Sequence, residues 1–332
     1  MTTTTIYNGT TYSGTLFPNV IGQHPAKRKF EFYIKGFEKT GIVPNVMLTA
    51  PKGAGKTMLA RAFARNLILP NTMEPKKYIE LNCATIKNLR QFVEMIMIPY
   101  MQNEDATFLF DECHMLPKDV TMALLTILNP NESNRTSFSV EDYVVDFDFS
   151  QQSFIFATTE AQHIFHALMD RCERIDLEEY TYPELGKIVQ RVLPDINFES
   201  DALSNVASVL RGNARAAQKM STNIKSYLSA RGKDYFESED WSYLQHHLGI
   251  LPLGLSPIEL QVLNFLDGRK NCSLTYLAAK TGLTKACLQR DFEMYLQKHN
   301  LMEITTEGRA ITAKGKKYLK KQKELESNPI GE

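Results

Sequence analysis

Residues 50–57, Ala-Pro-Lys-Gly-Ala-Gly-Lys-Thr, have the composition of a phosphate-binding loop between a short apolar strand and a helix. At Gly53 and Gly55 the backbone N–H groups can turn inward around phosphate oxygens, and the start of the helix adds positive potential. Lys56 would reach the β- and γ-phosphates of a nucleotide, and the hydroxyl of Thr57 would bind Mg²⁺. The motif therefore predicts ATP and Mg²⁺ as cofactors. Ala50 replaces the motif's usual first glycine, a mild departure if φ is negative there.

Two adjacent carboxylates follow a second apolar strand, at residues 106–110. We expect this strand to deliver Asp111 and Glu112 to the carboxyl edge of a sheet, beside the phosphate loop. Asp111 would hold Mg²⁺ through water, and Glu112 would orient or deprotonate the attacking water. This pair predicts hydrolysis of the bound nucleotide. His114, two residues further on, is ambiguous: it is interpreted as a structural histidine, and the alternative is a neighbour that packs on the Mg²⁺ site.

Three more polar residues fit the same chemistry, although each also has an ordinary structural explanation. Thr159 ends another apolar strand, where its hydroxyl would sense the γ-phosphate or would simply cap the strand. Arg171 would stabilise charge on a neighbouring subunit's γ-phosphate, which implies an oligomer, or would form a surface ion pair. Arg215 would contact the nucleotide from a helical lid, or would lie on a solvated helix face.

The order of apolar and turn-forming segments predicts an α/β fold with three domains. Up to residue 177, strands alternate with helices, which is typical of a doubly wound parallel sheet. The segment from 182 to 248 is predicted to be helical throughout, as a lid. Three short helices and two short strands joined by a glycine turn then predict a winged helix. The expected boundaries are 1–178, 179–250 and 251–332, and residues 1–16 are expected to be a loose lead-in.

Composition excludes several classes of protein. The chain has 332 residues, with 38 basic and 38 acidic side chains, so any DNA-binding surface must be local. The basic stretch at 305–323 offers Lys314 and Lys316, although a solvated helix face explains these lysines equally well. The five cysteines of the chain are scattered and do not indicate a disulfide framework or a zinc site. With no apolar run of ~18 residues and no signal pattern, we expect a cytoplasmic protein without a membrane partner.

Taken together, these segments resemble the RuvB family of AAA+ ATPases, and the resemblance covers nearly the whole chain. The segments that carry it are Val20-Ile-Gly-Gln23, the phosphate loop, Asp111-Glu-Cys-His114, Ala157-Thr-Thr159, Asp170-Arg171, Arg211-Gly-Asn-Ala-Arg215, Gly254-Leu255 and Thr305-Thr-Glu-Gly-Arg-Ala-Ile-Thr312. The ATPase motifs are shared by many AAA+ families. Their combination with this winged helix is what favours the RuvB family.

The resemblance implies an ATP-dependent DNA translocase subunit that drives branch migration of four-way junctions in recombination and repair. It implies a homo-hexameric ring, a RuvA-like junction-binding partner, and a wing that contacts DNA phosphate through Arg309. It also implies roles at the nucleotide: Thr159 as sensor 1, Arg171 as the arginine finger, Arg215 as sensor 2, and nucleotide contacts from Ile21, Gly53, Gly55, Lys56, Thr57, Met58 and Tyr180.

The sequence departs from the family in three places. Ser13-Gly14 stands where the family has a basic Arg-Pro element on the adenine side. Glu307 in the wing would repel phosphate. A hairpin predicted at 137–149, with Glu141-Asp142-Tyr143 matching an acidic-aromatic stretch, is shorter than the family's hairpin, which engages RuvA.

Two other functions remain open on sequence alone. A clamp-loader-like AAA+ ATPase shares the Ala-Thr-Thr strand end and the Arg-Cys pair at Arg171-Cys172, but its last domain would be an all-helical collar. An ATP-gated DNA-binding regulator or initiator would use a helix offering Lys285 and Gln289 to recognise bases, and would prefer one duplex sequence over random DNA.

Overall fold

The alternation of apolar strands and amphipathic helices folds into an α/β sheet unit followed by a helical and winged-helix unit, in the computed structural model. The structure describes residues 4–7, 10–13, 16–101, 104–129, 135–140 and 143–327. One unit comprises residues 1–188 and 212–218, and the other comprises residues 189–211 and 219–332.

The strands of the first unit begin with β1 and end with β9. Their bounds are β1 Thr4–Tyr7, β2 Thr10–Ser13, β3 Val46–Thr49, β4 Lys77–Asn82, β5 Ala106–Asp111, β6 Arg135–Val140, β7 Tyr143–Asp148, β8 Ser153–Thr158 and β9 Glu173–Asp176. Its helices are α1 His24–Thr40, α2 Lys56–Ala64, α3 Leu89–Phe92 continued by a π-helical turn Val93–Met101, α4 Lys118–Ile127, α5 His166–Met169 and the first part of α6 Tyr182–Val192.

The second unit contains the remaining elements. They are strands β10 Asn197–Phe198, β11 Tyr235–Phe236, β12 Met302–Thr305 and β13 Gly308–Ile311, and helices α7 Ser200–Ser208, α8 Ala214–Arg231, α9 Ser238–His247, α10 Pro257–Asp267, α11 Leu274–Thr281, α12 Lys285–Cys287, a π-helical turn Leu288–Glu293, α13 Met294–Lys298 and α14 Ala313–Ser327. The first turns of α8 belong to the first unit.

The five-stranded sheet of the first unit has the order β4-β5-β8-β3-β9, and every pairing in it is parallel. Because β8 lies between β5 and β3, the carboxyl ends of these three strands meet at one edge. The register pairs Asp111 with Ala157 and Thr49 with Thr158. The fold class predicted from sequence, an α/β parallel sheet, is confirmed.

The central strands are fully buried, which explains their continuous apolar runs. One face of the sheet carries stacked rings: Phe110 lies 5.0 Å from Phe156 between ring centroids, and Phe108 lies 6.0 Å from Phe154. The opposite face packs Leu48, Leu109 and Ile155 against helices α1 and α2. Packing on both faces fixes the register of each strand in the sheet, and this register sets the position of the polar residue that follows the strand.

In the second unit, α10 to α14 and the antiparallel pair β12–β13 form the predicted winged helix. The loop before α8 is tied to this domain by an ion pair. Arg211 donates to both carboxylate oxygens of Glu259, at 3.0 and 2.9 Å, and its guanidinium lies 3.6 Å from the ring of Tyr295. The Glu259 side chain is fully buried and also closes a capping box with Ser256 at the start of α10.

Two predictions about local structure are wrong. The segment from 182 to 248 is not helical throughout, because β10 and β11 pair in parallel, with Phe198 packed on Phe236. Strands of two residues are too short to show any alternation of apolar and polar residues. The lead-in also contains a hairpin, β1–β2, in residues expected to be loose.

The predicted hairpin at 137–149 is confirmed by antiparallel pairing of β6 with β7. Gly14, Glu141 and Asp142 lie outside the described residues. Among the described helices, none combines the length and apolar character required to cross a bilayer.

Candidate nucleotide site

The phosphate loop connects β3 to α2 through two glycines with left-handed backbone. Gly53 has φ 79° and Gly55 has φ 93°, a region that glycine enters without strain. Gly55 caps α2 without any side-chain hydrogen bond, so the first N–H groups of the helix remain available to an anion. Ala50 is not among the described residues with positive φ, so the replaced glycine carries no backbone strain there.

A second segment of the same unit lies directly on this loop. Asn213 donates its side-chain N–H to the carbonyl of Lys52 at 3.2 Å, and the N–H of Ala214 donates to the carbonyl of Gly53 at 3.0 Å. A Cβ on Gly53 would collide with the Asn213 side chain, and a Cβ on Gly55 would come within 2.7 Å of the hydroxyl oxygen of Tyr180. Glycine is therefore required by close approach as well as by φ.

Lys56 is buried at the base of the loop, and its ammonium donates to the carbonyl of Ala50 at 3.2 Å. Burial lowers the pKa of Lys56, and the nearby carboxylates of Glu112 and Asp111 offset part of that shift. The positive charge of Arg215 lowers the pKa of Lys56 further, and the backbone N–H of Arg215 donates at 2.9 Å to Asn213, the residue that lies on the loop. Two cations and the start of α2 make the site attractive to a polyphosphate.

The hydroxyl of Thr57 donates to Oδ2 of Asp111 at 3.2 Å, which joins the phosphate loop to the end of β5. Hydroxyl and carboxylate oxygens are ligands of the kind Mg²⁺ accepts, and Mg²⁺ commonly takes one or two protein oxygens together with phosphates and water. Within the described residues, no group of three or more His, Cys, Asp or Glu side chains could hold a metal ion. The hydroxyl of Thr57 and the carboxylate of Asp111 fit a magnesium ion that arrives with a nucleotide.

Glu112 leaves the strand with φ 53° and ψ 47°, a left-handed conformation that turns the chain sharply into a 3-10 helix at Cys113–Met115. Its N–H donates to Oδ1 of Asp111 at 3.0 Å, and its Oε2 accepts from the hydroxyl of Thr159 at 3.0 Å. The two predicted catalytic residues Glu112 and Thr159 are thus in direct contact. Their catalytic roles remain predictions.

Arg171 lies apart from the phosphate loop in the described hydrogen-bond network. Its guanidinium donates to the carbonyl of Ala167 at 2.9 Å and to the side chain of Asn129 at 3.2 Å. Its Nε is buried and has no hydrogen-bond partner in the described part of the chain. The role of Arg171 as an arginine finger for a neighbouring subunit stays a prediction.

Sequence reasoning missed two residues that shape the site. Gln23 donates to the carbonyl of Glu178 at 2.7 Å and to that of Ala54 at 3.4 Å, and so ties the phosphate loop to the segment containing Tyr180. Gln23 has a φ of 54°, and nothing in the sequence predicts this left-handed backbone at a glutamine. Asn213 was visible only as the middle of the Arg-Gly-Asn-Ala-Arg motif.

The remaining predicted nucleotide-binding residues are exposed to different degrees. Ile21 is half-buried next to Gln23, Met58 is largely exposed on the first turn of α2, and Tyr180 is buried. Burial raises the pKa of Tyr180, so its hydroxyl stays protonated and able to donate.

The predicted DNA-binding residues separate into two kinds. Lys314 and Lys316 are exposed on α14. The side chain of Arg309, in contrast, is only 13% exposed and donates to both carboxylate oxygens of the buried Glu293, at 2.9 and 3.2 Å. The buried carboxylate of Glu293 thus holds the Arg309 guanidinium, and the contact of Arg309 with DNA phosphate stays a prediction.

Replacing Gly53 with alanine should disrupt the phosphate loop, because the new Cβ meets Asn213 and the φ of 79° disfavours any other residue. The loop can relieve this strain only by moving, and we expect nucleotide affinity to fall by about tenfold or more. Titration with a fluorescent ATP analogue measures the change. Gly36→Ala is the matched control, since Gly36 lies within α1 with nothing within 4 Å of an added Cβ. Equal affinities for the two variants would contradict the assignment of the loop.

Comparison with known proteins gives two family matches. Residues 46–180 match the model for the ATPase family associated with various cellular activities, AAA, and residues 252–320 match the RuvB C-terminal winged helix domain. The Holliday junction branch migration complex subunit RuvB of Campylobacter hominis is 26% identical, over 94% of this chain and 92% of that protein. The subunit of the same name from Thermotoga maritima is 24% identical, over 90% of this chain and 89% of that protein.

Solved structures of Thermotoga maritima RuvB share the fold. The structure described as a Holliday junction branch migration motor has a TM-score of 0.72 at 23% identity, over 92% of this chain and 99% of that one. At this level of identity the likeness shows the fold alone. The two family matches, in this order along one chain, together with relatives that span nearly all of it, identify this protein as a RuvB-like AAA+ ATPase.

Proposed function

We propose that this chain is the ATP-driven subunit of a DNA translocase that drives branch migration of four-way DNA junctions. The observation that carries the proposal is the continuous set of contacts at the carboxyl edge of the sheet, from the phosphate loop through Thr57 and Asp111 to Glu112 and Thr159. The relatives that span this chain are named as subunits of a Holliday junction branch migration complex, which supports the choice of substrate.

In this proposal, Lys56 and the N–H groups of the loop bind the nucleotide's phosphates, while Thr57 and Asp111 hold Mg²⁺, Asp111 through water. When bound, Mg²⁺ supplies positive charge against the developing negative charge of the phosphoryl group. The carboxylate of Glu112 accepts a proton from the attacking water and orients it. Thr159 holds that carboxylate, and Arg215 carries a positive charge from α8 to the same site.

We further propose that the site is completed by a second copy of the chain in a hexameric ring. Arg171 is bonded to Ala167 and Asn129 rather than to its own phosphate loop. A guanidinium supplied by a neighbour would add positive charge opposite Lys56, as arginine fingers do in related phosphoryl-transfer sites. ATP hydrolysis would then depend on assembly.

DNA would be held by its backbone, without base recognition, at the winged helix. Lys314 and Lys316 on α14 are our proposed contacts, because both are exposed and lie in the basic stretch of the chain. The acidic Glu307 in the wing accepts from Asn271 at 2.5 Å, and the exposed ammonium of Lys270 lies 3.9 Å from the same carboxylate and offsets its negative charge. Binding through lysines alone should weaken steeply with salt.

A RuvA-like protein is the proposed loading partner, and the cytoplasm is the proposed compartment.

The clamp-loader interpretation required an all-helical last domain, whereas this domain contains the β12–β13 wing and matches the RuvB winged helix. The relatives that span this chain are named as branch migration subunits, which favours this interpretation over a base-recognising regulator.

ATP hydrolysis should be stimulated by a synthetic four-way junction, and the junction should dissociate only when ATP is hydrolysed. Steady-state turnover with no DNA, linear duplex or junction, beside gel-resolved strand exchange, measures both. The Glu112→Gln variant should bind ATP normally and lose about 10²- to 10⁴-fold in turnover, because the amide cannot accept a proton. Glu104→Gln, an exposed carboxylate distant from the loop, is the control. Turnover indifferent to DNA, with no junction movement, would contradict the proposal.

Mixing two inactive variants should restore ATP hydrolysis if Arg171 acts on a neighbour. In a mixed ring, a Glu112→Gln subunit supplies Arg171 to the intact loop and Glu112 of an Arg171→Ala subunit. We expect each variant alone to be nearly inactive, and the mixture to regain part of the wild-type rate in proportion to such pairs. Arg90→Ala, which removes an exposed arginine paired with Glu94, should remain active by itself. Absence of any rescue would argue against a finger that acts between subunits.

A further inference from the structure

His114 lies beside the predicted catalytic carboxylate, with one ring nitrogen directed at two oxygens. Its Nδ1 is 3.0 Å from the hydroxyl oxygen of Thr158 and 3.5 Å from Oε2 of Glu112. The same Oε2 accepts from Thr159 at 3.0 Å. One oxygen of Glu112 is therefore approached by two polar groups from two different strand ends.

The carboxylate of Glu112, 3.5 Å from Nδ1, favours one of the two tautomers of His114. The carboxylate oxygen of Glu112 can only accept, and the hydroxyl of Thr158 already accepts from the N–H of Glu160 at 2.9 Å, with one further lone pair free. A lone pair on Nδ1 would repel the carboxylate oxygen, whereas an N–H there is attracted to both neighbours. The contacts thus favour the tautomer with hydrogen on Nδ1.

Both neighbours of the ring are held by the sheet. Thr158 is fully buried at the end of β8, and its carbonyl accepts from the N–H of Ala50 at the start of the phosphate loop, at 3.2 Å. Glu112 is set by the left-handed turn that leads into Cys113–Met115, in which Met115 donates its N–H to the carbonyl of Glu112 at 2.9 Å. The ring therefore bridges two fixed strand ends rather than a loop.

We propose that His114 is a positioning residue for ATP hydrolysis, which shares its Nδ1–H between Thr158 and Glu112 and so fixes the direction of the Glu112 carboxylate. The inference rests on the proposed function, because it assigns Glu112 to the attacking water. His114 touches no reacting atom itself and acts only through this carboxylate.

The environment of the ring strengthens this contact. The His114 side chain is only 11% exposed, at a cavity lined by apolar residues such as Leu116 together with the polar Lys118 and His163. In such surroundings a hydrogen bond to a carboxylate is stronger than it is in water. The Glu112 side chain is 35% exposed, so one side of it faces solvent, while Thr159 and His114 both approach its Oε2.

The test compares His114→Ala with His114→Asn in the full-length protein. The amide nitrogen of asparagine reaches the place of Nδ1, so this variant retains the donor while alanine removes it. We expect alanine to lower kcat for ATP by roughly 10- to 100-fold with little change in KM, and asparagine to recover most of the loss. His246→Ala, an exposed histidine of α9, is the control. Thermal unfolding and binding of a fluorescent ATP analogue are measured on every variant.

Unchanged kcat in His114→Ala would overturn the inference. So would an equal loss of kcat in the alanine and asparagine variants together with a matching fall in melting temperature, since that pattern belongs to packing. The double variant Glu112→Gln/His114→Ala should be no slower than Glu112→Gln alone, because His114 acts through the missing carboxylate. If Glu112→Gln itself keeps wild-type turnover, the proposed function fails, and that result is distinct from a failure confined to His114.

Discussion

The insertion of β8 between β5 and β3 is the constraint on which the candidate site depends. It brings the ends of three parallel strands to one edge, so that Thr57, Asp111, Glu112 and Thr159 meet although they are distant in sequence. Apolar residues on both faces of these strands fix their register, because a shift of one residue would turn side chains such as Phe110 into the opposite face, which Leu109 and its neighbours already fill. The chemistry of the edge is thus fixed by the packing of the sheet.

Close approach of backbone is the second requirement of the site. Gly53 and Gly55 are needed both for their φ values and for the space that Asn213 and Tyr180 occupy. Asn213 belongs to the segment that starts α8, so hydrogen bonds from Asn213 and Ala214 join this segment to the phosphate loop. Arg211, which pairs with Glu259, lies two residues before Asn213 in the chain. The ion pair with Glu259 and the hydrogen bonds to the phosphate loop therefore come from one short stretch of backbone.

The sequence predicted those features that depend on local patterns. The phosphate loop, the acidic strand end, the parallel sheet and the wing all follow from composition and periodicity within short windows. It could not predict contacts between distant segments, such as Gln23 with Glu178 or His114 with Thr158. Nor could it show that Arg309 is neutralised by Glu293, because an arginine in a wing has the same local sequence whether it faces solvent or a buried carboxylate. The pair β10–β11 was missed because two residues carry no periodic signal.

The most direct test of the central claim is a crystal structure with a non-hydrolysable ATP analogue and Mn²⁺, which is located by its anomalous scattering. The account predicts triphosphate density along residues 52–57 and an anomalous peak beside the Thr57 hydroxyl, on the side facing Asp111. It also predicts that the peak is lost in Asp111→Ala crystals grown with the same nucleotide. Triphosphate bound elsewhere, or a metal peak distant from both residues, would contradict the assignment of this sheet edge as the site of ATP hydrolysis.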